Sequence, residues 1–126
     1  MLHHLTLWVP DLERAEESWS WLLGCLGYER DLGVDAVLLF RHPGGFSVAM
    51  EQSSDMVPGM LYSRFRPGLN HLAFRLEGDV SLADLVAAAP EHGWMPMSTD
   101  GVHAIAGGAE VAYLEDRDGF EVELVS

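Results

Sequence analysis

Residues 4–7 read HLTL, and residues 71–74 read HLAF, 67 positions further along the chain. A second match, 74 positions apart, joins GFSV at 45–48 to GFEV at 119–122. Both matches fall at equivalent places in the two halves, and loops readily absorb the small difference in spacing because they tolerate insertions. The sequence therefore predicts that the chain arose as two related halves.

The first half has the pattern of one strand, one helix and three more strands. Residues 2–9 alternate in hydrophobicity and end at Pro10, which cannot donate to a central strand pairing. Asp11 can cap a helix over 11–24, where apolar residues recur at helical spacing. The β-like segments that follow cover 28–32, 34–41 and 46–52.

The second half repeats this order from Asn70. A strand is predicted over 71–77 and a helix over 80–92, capped by Ser81 or Asp79. Pro90 should kink or tighten the last turn of that helix. Three further strands are predicted at 94–97, around 111–115 and at 120–125, whereas residues 98–110 show no clear period.

These patterns predict an α+β fold made of two βαβββ modules within a single domain of 126 residues. The modules cover approximately 1–53 and 68–126, and the Pro- and Gly-containing residues 54–67 connect them. Because strands twist, we expect a curved, partly open sheet of eight strands with its polar side chains in a cleft.

Composition limits the class of partner. The chain has 20 acidic and 7 basic side chains, a formal charge of −13, which disfavours nucleic acid and anionic membranes and attracts cations. The single cysteine, Cys25, excludes an internal disulfide, and no apolar run approaches the ~18 residues of a membrane span. A cytoplasmic protein is the expectation.

Strand alternation predicts which side chains share the polar face of the sheet. In the first strand of each half, the residues that face away from the core are His4, Thr6 and Trp8, and His71, Ala73 and Arg75. The last strand adds Glu121 and Glu123 to this face, whereas His3 should point the other way and be structural or exposed. We expect Glu121 to be solvated.

His4, His71 and Glu123 together suit a divalent metal ion. Two imidazoles and one carboxylate form a facial set that leaves coordination positions open for a substrate, as iron(II) and other first-row ions require. An ionised carboxylate buried without a partner costs several kcal/mol, so Glu123 must be wet, paired or metal-bound. The predicted ion is iron(II), manganese, nickel or zinc.

The chain also resembles the vicinal oxygen chelate superfamily, which includes glyoxalase I, extradiol dioxygenases, methylmalonyl-CoA epimerase, fosfomycin-modifying thiol transferases and bleomycin-binding proteins. The resemblance covers nearly the whole chain and is carried by three stretches, HLTLWVPDL at 4–12 running into WLLG at 21–24, GLNHLAF at 68–74, and YLEDRDGFEVEL at 113–124.

The resemblance implies metal ligands on the first and last strands of each half, which correspond to His4, His71, Glu123 and, in the fourth place, Ala49. Since alanine is no ligand, the three-ligand members of the family are the better match, and Glu51 on the same face could compensate as a base or a distant ligand. The resemblance further implies a homodimer.

Two classes of function remain open. One is a metal-dependent dioxygenase, lyase or isomerase acting on vicinal oxygens of a small molecule, with Glu51, His103 and Tyr113 as candidate catalytic groups. Candidates for contacting the substrate are Trp8, Arg75 and Glu121. The other class is a binding protein that sequesters a cationic or aromatic antibiotic without catalysis, for which the acidity and the aromatic residues are the relevant features.

Overall fold

A computed structural model describes all residues, 1–126, and divides into two compact units, Met1–Leu61 and Tyr62–Ser126. We call them unit 1 and unit 2. The division falls within the predicted connection 54–67. The elements of both units confirm the α+β class, with two open sheets of four and five strands. No helix is both long and apolar enough to cross a membrane.

Unit 1 follows the predicted βαβββ order. Its helix α1 covers Leu12–Cys25, and the Asp11 carboxylate accepts a hydrogen bond from the Arg14 backbone N–H at 2.9 Å, as the capping pattern predicts. The strands are β1 (His4–Trp8), β2 (Glu29–Asp31), β3 (Leu38–Arg41) and β4 (Ser47–Glu51). They form a sheet in the order β1-β4-β3-β2, with β1 parallel to β4.

The core of unit 1 lies between α1 and the sheet. α1 packs on β2, β3 and β4 through an apolar stripe that is fully buried, with Trp19, Leu22 and Leu23 at 0% exposure. The strands meet this stripe with side chains of one parity, which include Leu7, Phe40, Val48 and Met50. The opposite parity of β1, beginning at His4, is therefore left on the other side of the sheet.

Unit 2 repeats this plan with differences in two places. Its helix α2 covers Leu82–Ala88 with Ser81 as N-cap, and continues as a 3₁₀ helix over Ala89–His92 because Pro90 lies at its start. The strands are β5 (Leu72–Arg75), β6 (Trp94–Pro96), β7 (Val102–Ala104), β8 (Glu110–Asp116) and β9 (Glu121–Val125).

The second difference is β7, which raises the number of strands to nine from the eight predicted. It lies in the stretch without a clear period and pairs with β8, outside the main order β5-β9-β8-β6. β5 runs parallel to β9, as β1 does to β4. Thr6 is the register partner of Ala49, and Ala73 is the register partner of Glu123. Residues that are equivalent in the predicted duplication therefore pair in the same way in both sheets.

Candidate functional site

The polar face of the second sheet brings His71 and Glu123 into direct contact. His71 precedes β5, and Glu123 lies on the neighbouring strand β9. The imidazole Nε2 of His71 is 3.1 Å from the carboxylate Oε2 of Glu123. Strand alternation predicted this shared face, and the two side chains remain partly accessible, at 35% and 18% exposure. The structure thus joins two of the three predicted metal ligands.

The second nitrogen of the His71 ring is held by its neighbour in sequence. Nδ1 of His71 is 2.8 Å from Oδ1 of Asn70, and Nδ2 of Asn70 donates to the backbone carbonyl of Arg64 at 3.1 Å. The His71 ring therefore has a fixed partner on each of its two nitrogens. Metal-binding histidines commonly have one nitrogen held by an outer hydrogen bond in this way.

Tyr113 completes the immediate surroundings of this pair. It is the register partner of Glu123 across β8 and β9, and its ring stands edge-on to the His71 ring, 6.2 Å between centroids at 87°. Partial burial raises the pKa of the Tyr113 hydroxyl above its ordinary value, and a hydrogen bond to the negative Glu123 carboxylate raises it further. At neutral pH this hydroxyl is protonated and acts as a donor.

Glu121, expected to be solvated, is instead paired and nearly buried. Its carboxylate accepts from Nε of Arg64 at 3.0 Å, and its side chain is 11% exposed. Arg64 also reaches Oε1 of Glu115 at 3.2 Å, so one guanidinium joins two acids that face each other across β8 and β9. The expectation was wrong because Arg64 comes from the irregular connection, which gave no sequence signal for its position.

A pocket of about 240 Å³ opens beside these groups, lined by Met97, Ser98, Tyr113 and Glu121. Ser98 brings a second histidine to its edge, because Ser98 Oγ lies 2.8 Å from Nε2 of His103 on β7. Of the three predicted catalytic candidates, Tyr113 lines this pocket and His103 touches it through Ser98. Arg75 is exposed, whereas Arg64 is the cation that pairs with the acidic side chains of β8 and β9.

The polar face of the first sheet carries the other predicted residues. A pocket of about 270 Å³ is lined by residues of β1, β3 and β4 and the segments beside them, namely His3, His4, Thr6, Val37, Leu39, Arg41, Ser47, Ala49 and Glu51. This face is the one that strand alternation predicted for His4 and Glu51. Ala49 stands at the position equivalent to Glu123, and its methyl side chain has no ligand atom.

His3 also belongs to this pocket, against the prediction from strand alternation. Its Nδ1 is 2.7 Å from Nδ1 of His4, and the two rings meet edge to face. The alternation rule does not extend to His3 because β1 begins at His4. Nearby, the half-exposed Trp8 donates from its indole N–H to Oε2 of Glu51 at 3.2 Å.

The side chains of His71 and Glu123 are chemically suited to bind a divalent cation. An imidazole nitrogen and a carboxylate oxygen are ordinary ligands of first-row ions, and these two atoms are close enough to bind the same ion. The structure contains no group of three or more histidine, cysteine or acidic side chains placed to hold a metal ion together. His4 lies in unit 1, where it lines the pocket on the polar face of the first sheet.

Comparisons with known proteins agree with the architecture. Residues 3–113 match the family described as the Glyoxalase/Bleomycin resistance protein/Dioxygenase superfamily. The uncharacterized protein YqjT of Bacillus subtilis (strain 168) is 31% identical over 127 residues, which covers 99% of this chain and 98% of that protein.

Solved structures are similar over the same extent. A proposed glyoxalase from Bacillus halodurans is 33% identical with a TM-score of 0.83, covering 99% of this chain and 94% of that chain. A glyoxalase/bleomycin resistance protein from Albidiferax ferrireducens T118 has a TM-score of 0.77 at 20% identity, covering 99% and 97%. The second similarity concerns the fold alone.

Proposed function

Since the chain belongs to the glyoxalase/bleomycin resistance protein/dioxygenase superfamily, we propose that it is a metal-dependent enzyme acting on vicinal oxygens of a small molecule. His71 and Glu123 would hold the divalent ion, and His4 remains the third predicted ligand. The reaction would be of the dioxygenase, lyase or isomerase type, and the ion would be iron(II), manganese, nickel or zinc.

The observation that carries this proposal is the contact of 3.1 Å between Nε2 of His71 and Oε2 of Glu123. Two ligand atoms bound at ~2.0–2.2 Å in adjacent corners of an octahedron lie about 3 Å apart, so this spacing suits one shared ion. The pair also has an outer support, because Asn70 holds the far side of the His71 ring.

Ala49 supports an open coordination sphere. Catalytic metal sites typically combine three protein ligands with positions left for water or substrate, whereas structural sites are closed. The first half supplies a methyl group where the second half supplies Glu123, which limits the protein ligands to three. A substrate with two neighbouring oxygens could then occupy the open positions, with the ion acting as a Lewis acid.

The protein's own groups would bind the substrate and move protons. Tyr113, kept protonated by its raised pKa, would turn its hydroxyl proton from Glu123 to a substrate oxygen in the pocket of unit 2. Glu51 lines the pocket of unit 1 as a carboxylate and is the candidate general base. His103, paired with Ser98, is a further candidate for proton transfer.

One observation favours the second class, a binding protein without catalysis. Trp8 is 48% exposed and is hydrogen-bonded to the Glu51 carboxylate, which places an open aromatic ring beside a negative charge in a chain of net charge −13. A flat cationic ligand would be attracted to both groups. This candidate requires neither His71 nor Glu123.

Metal binding separates the two functions. The experiment measures the metal content of the whole chain, purified without chelators and supplied in turn with iron(II), manganese, nickel and zinc. We expect metal to copurify at a fixed ratio of bound ion to chain. This binding should be lost in His71→Ala and retained in His92→Ala, which removes a histidine from the 3₁₀ helix instead. Absence of bound metal under all four conditions would overturn the proposal and favour the binding protein.

A further inference from the structure

We propose that Asn70 is a positioning residue that fixes the tautomer of His71, so that the proton of the neutral ring lies on Nδ1 and the lone pair of Nε2 points at Glu123. Only the role of this lone pair as a metal ligand rests on the proposed function. The tautomer itself follows from two hydrogen bonds of the Asn70 amide, one to the Arg64 carbonyl and one to the His71 ring.

The first step is the orientation of the Asn70 amide. Nitrogen and oxygen of an amide look alike, so their assignment depends on their partners. One end of the Asn70 amide lies 3.1 Å from the backbone carbonyl oxygen of Arg64. Because a carbonyl oxygen only accepts, the NH₂ group must be at that end, and Oδ1 must face His71.

The second step is the position of the ring proton. Oδ1 of Asn70 carries no hydrogen, yet it lies 2.8 Å from Nδ1 of His71, which is hydrogen-bond distance. Nδ1 must therefore be the donor. In a neutral imidazole only one nitrogen carries a proton, so Nε2 is left with a lone pair.

The third step is what that lone pair faces. Oε2 of Glu123 lies 3.1 Å from Nε2 of His71, and an ionised carboxylate is an acceptor only. Two acceptors at this distance repel each other unless a proton or a metal ion lies between them. In the neutral ring, Nε2 is therefore free to bind a divalent ion, while the hydrogen bond to Asn70 keeps the ring proton on Nδ1.

Arg64 gives this arrangement a fixed base. Its guanidinium is 17% exposed and paired with both Glu115 and Glu121, which belong to adjacent strands of the sheet. The backbone carbonyl that orients Asn70 is thus part of a residue anchored to the sheet. Orientation passes from the sheet through Arg64 and Asn70 to the His71 ring.

The first half of the chain shows the same contact at the equivalent position. His3 lies 67 positions before Asn70, and its Nδ1 contacts Nδ1 of His4 at 2.7 Å. In both halves the residue before the candidate ligand therefore engages Nδ1 of that ligand. An imidazole can donate or accept, however, so His3 does not determine the tautomer of His4, and Asn70 provides the decisive test.

Nitrogen-15 NMR of the metal-free chain reads the tautomer directly, at about pH 8, well above the usual imidazole pKa of ~6.5. We expect the Nδ1–H form for His71 in the unmodified protein and in Asn70→Asp, which loses the hydrogen bond to the Arg64 carbonyl but keeps an acceptor oxygen for Nδ1. In Asn70→Ala the Nε2–H form should become populated, since Glu123 can then accept from it. Ser63→Ala, which removes a hydrogen bond to the Phe65 N–H in the same segment, should leave the tautomer unchanged.

Titration of manganese or zinc into the same four proteins gives the second readout. Loss of an outer hydrogen bond to a ligating histidine costs about 10–100-fold in metal affinity, and we expect this loss in Asn70→Ala but not in Asn70→Asp or Ser63→Ala. Amide fingerprint spectra confirm that each variant is folded.

The two readouts fail separately. An Nε2–H or doubly protonated His71 in the unmodified protein overturns the role of Asn70, whether or not metal binds. Unchanged metal affinity in Asn70→Ala, in a protein that does bind metal, overturns it as well. An Nδ1–H ring that depends on Asn70, in a chain that binds no metal, supports the positioning role and contradicts the proposed metal enzyme.

Discussion

Arg64 and Glu121 form an ion pair, 3.0 Å from Nε to Oε2, between the irregular segment that opens unit 2 and the last strand of its sheet. Both side chains are largely buried, at 17% and 11% exposure. The segment is further fastened by Tyr62, whose ring stacks on Phe120 with centroids 4.0 Å apart. The polar face of this sheet therefore owes its charge balance to a residue outside the regular elements.

Replacing Arg64 by methionine should destabilise the protein by about 1–3 kcal/mol, because Glu121, at 11% exposure, would lose its cation while largely out of water. Urea unfolding measures the change. Arg75→Met is the matched control, since Arg75 is exposed and makes no ion pair, and it should stay within about 0.5 kcal/mol. Adding Glu121→Gln to Arg64→Met should recover part of the loss, and equal losses in the single and double variants would contradict the prediction.

The turns before β4 and β9 should each need glycine. Gly45 and Gly119 have φ of +94° and +88°, and a Cβ added at either meets no atom closer than 3.9 Å, so backbone strain is the main cost. We expect Gly45→Ala and Gly119→Ala to lower the free energy of unfolding by about 1–2 kcal/mol each.

At Gly24, unlike Gly45 and Gly119, an alanine should raise the free energy of unfolding. Gly24 lies within α1 with open space around its Cα, so Gly24→Ala should stabilise the protein by about 0.5–1 kcal/mol. Thermal or urea unfolding of the three variants tests both signs together. Unaffected variants at 45 and 119 would contradict the positive φ angles of the two turns, and a destabilised Gly24→Ala would contradict the open space around the Gly24 Cα.

Acid stability should depend on Asp31. Its carboxylate accepts from Nε of Arg41 at 2.8 Å and from the backbone N–H of Gly33 at 2.9 Å, and these bonds hold its pKa below the ordinary value of 3.8. Because the folded protein has the lower pKa, this contribution is present above the ordinary pKa and is lost as the pH falls through the folded value.

The measurement for Asp31 is an NMR titration of its side-chain carboxyl. In Arg41→Gln we expect the pKa of Asp31 to rise toward its ordinary value, because the hydrogen bond from the Arg41 guanidinium is its main cause of depression. Arg75→Gln should leave it unchanged. The stability of Asp31→Asn should also fall less steeply than that of the unmodified protein on acidification, and parallel curves for the two proteins would refute the assignment.

Strand and helix patterns predicted the parts of this molecule whose order is local. Alternation along β9 and the repeat at His4 and His71 were enough to place His71 and Glu123 on one face. The Asp11 cap and the tightened turn at Pro90 also followed from neighbours in sequence. These features depend on backbone periodicity, which a single sequence displays.

What the sequence did not predict depends on irregular backbone. Arg64 reaches Glu121 from a connection with no period, so neither the ion pair nor the burial of Glu121 could be read from strand parity. β7 lies in a stretch without alternation. His3 precedes the first residue of β1, where the period-two rule no longer determines side-chain direction.

Two glutamates on the same face of β9 should differ in their importance for metal binding. Glu121 forms an ion pair with Arg64, whereas Glu123 contacts His71. Since a carboxylate neutralised by a buried guanidinium is a poor further ligand, Glu121→Gln should change metal affinity by no more than a few-fold. Glu123→Gln should weaken it by at least the 10–100-fold expected for an outer-shell loss, because a direct ligand is removed. Calorimetric titration with manganese or zinc compares them, and an equal loss in both variants would place the metal elsewhere on this face.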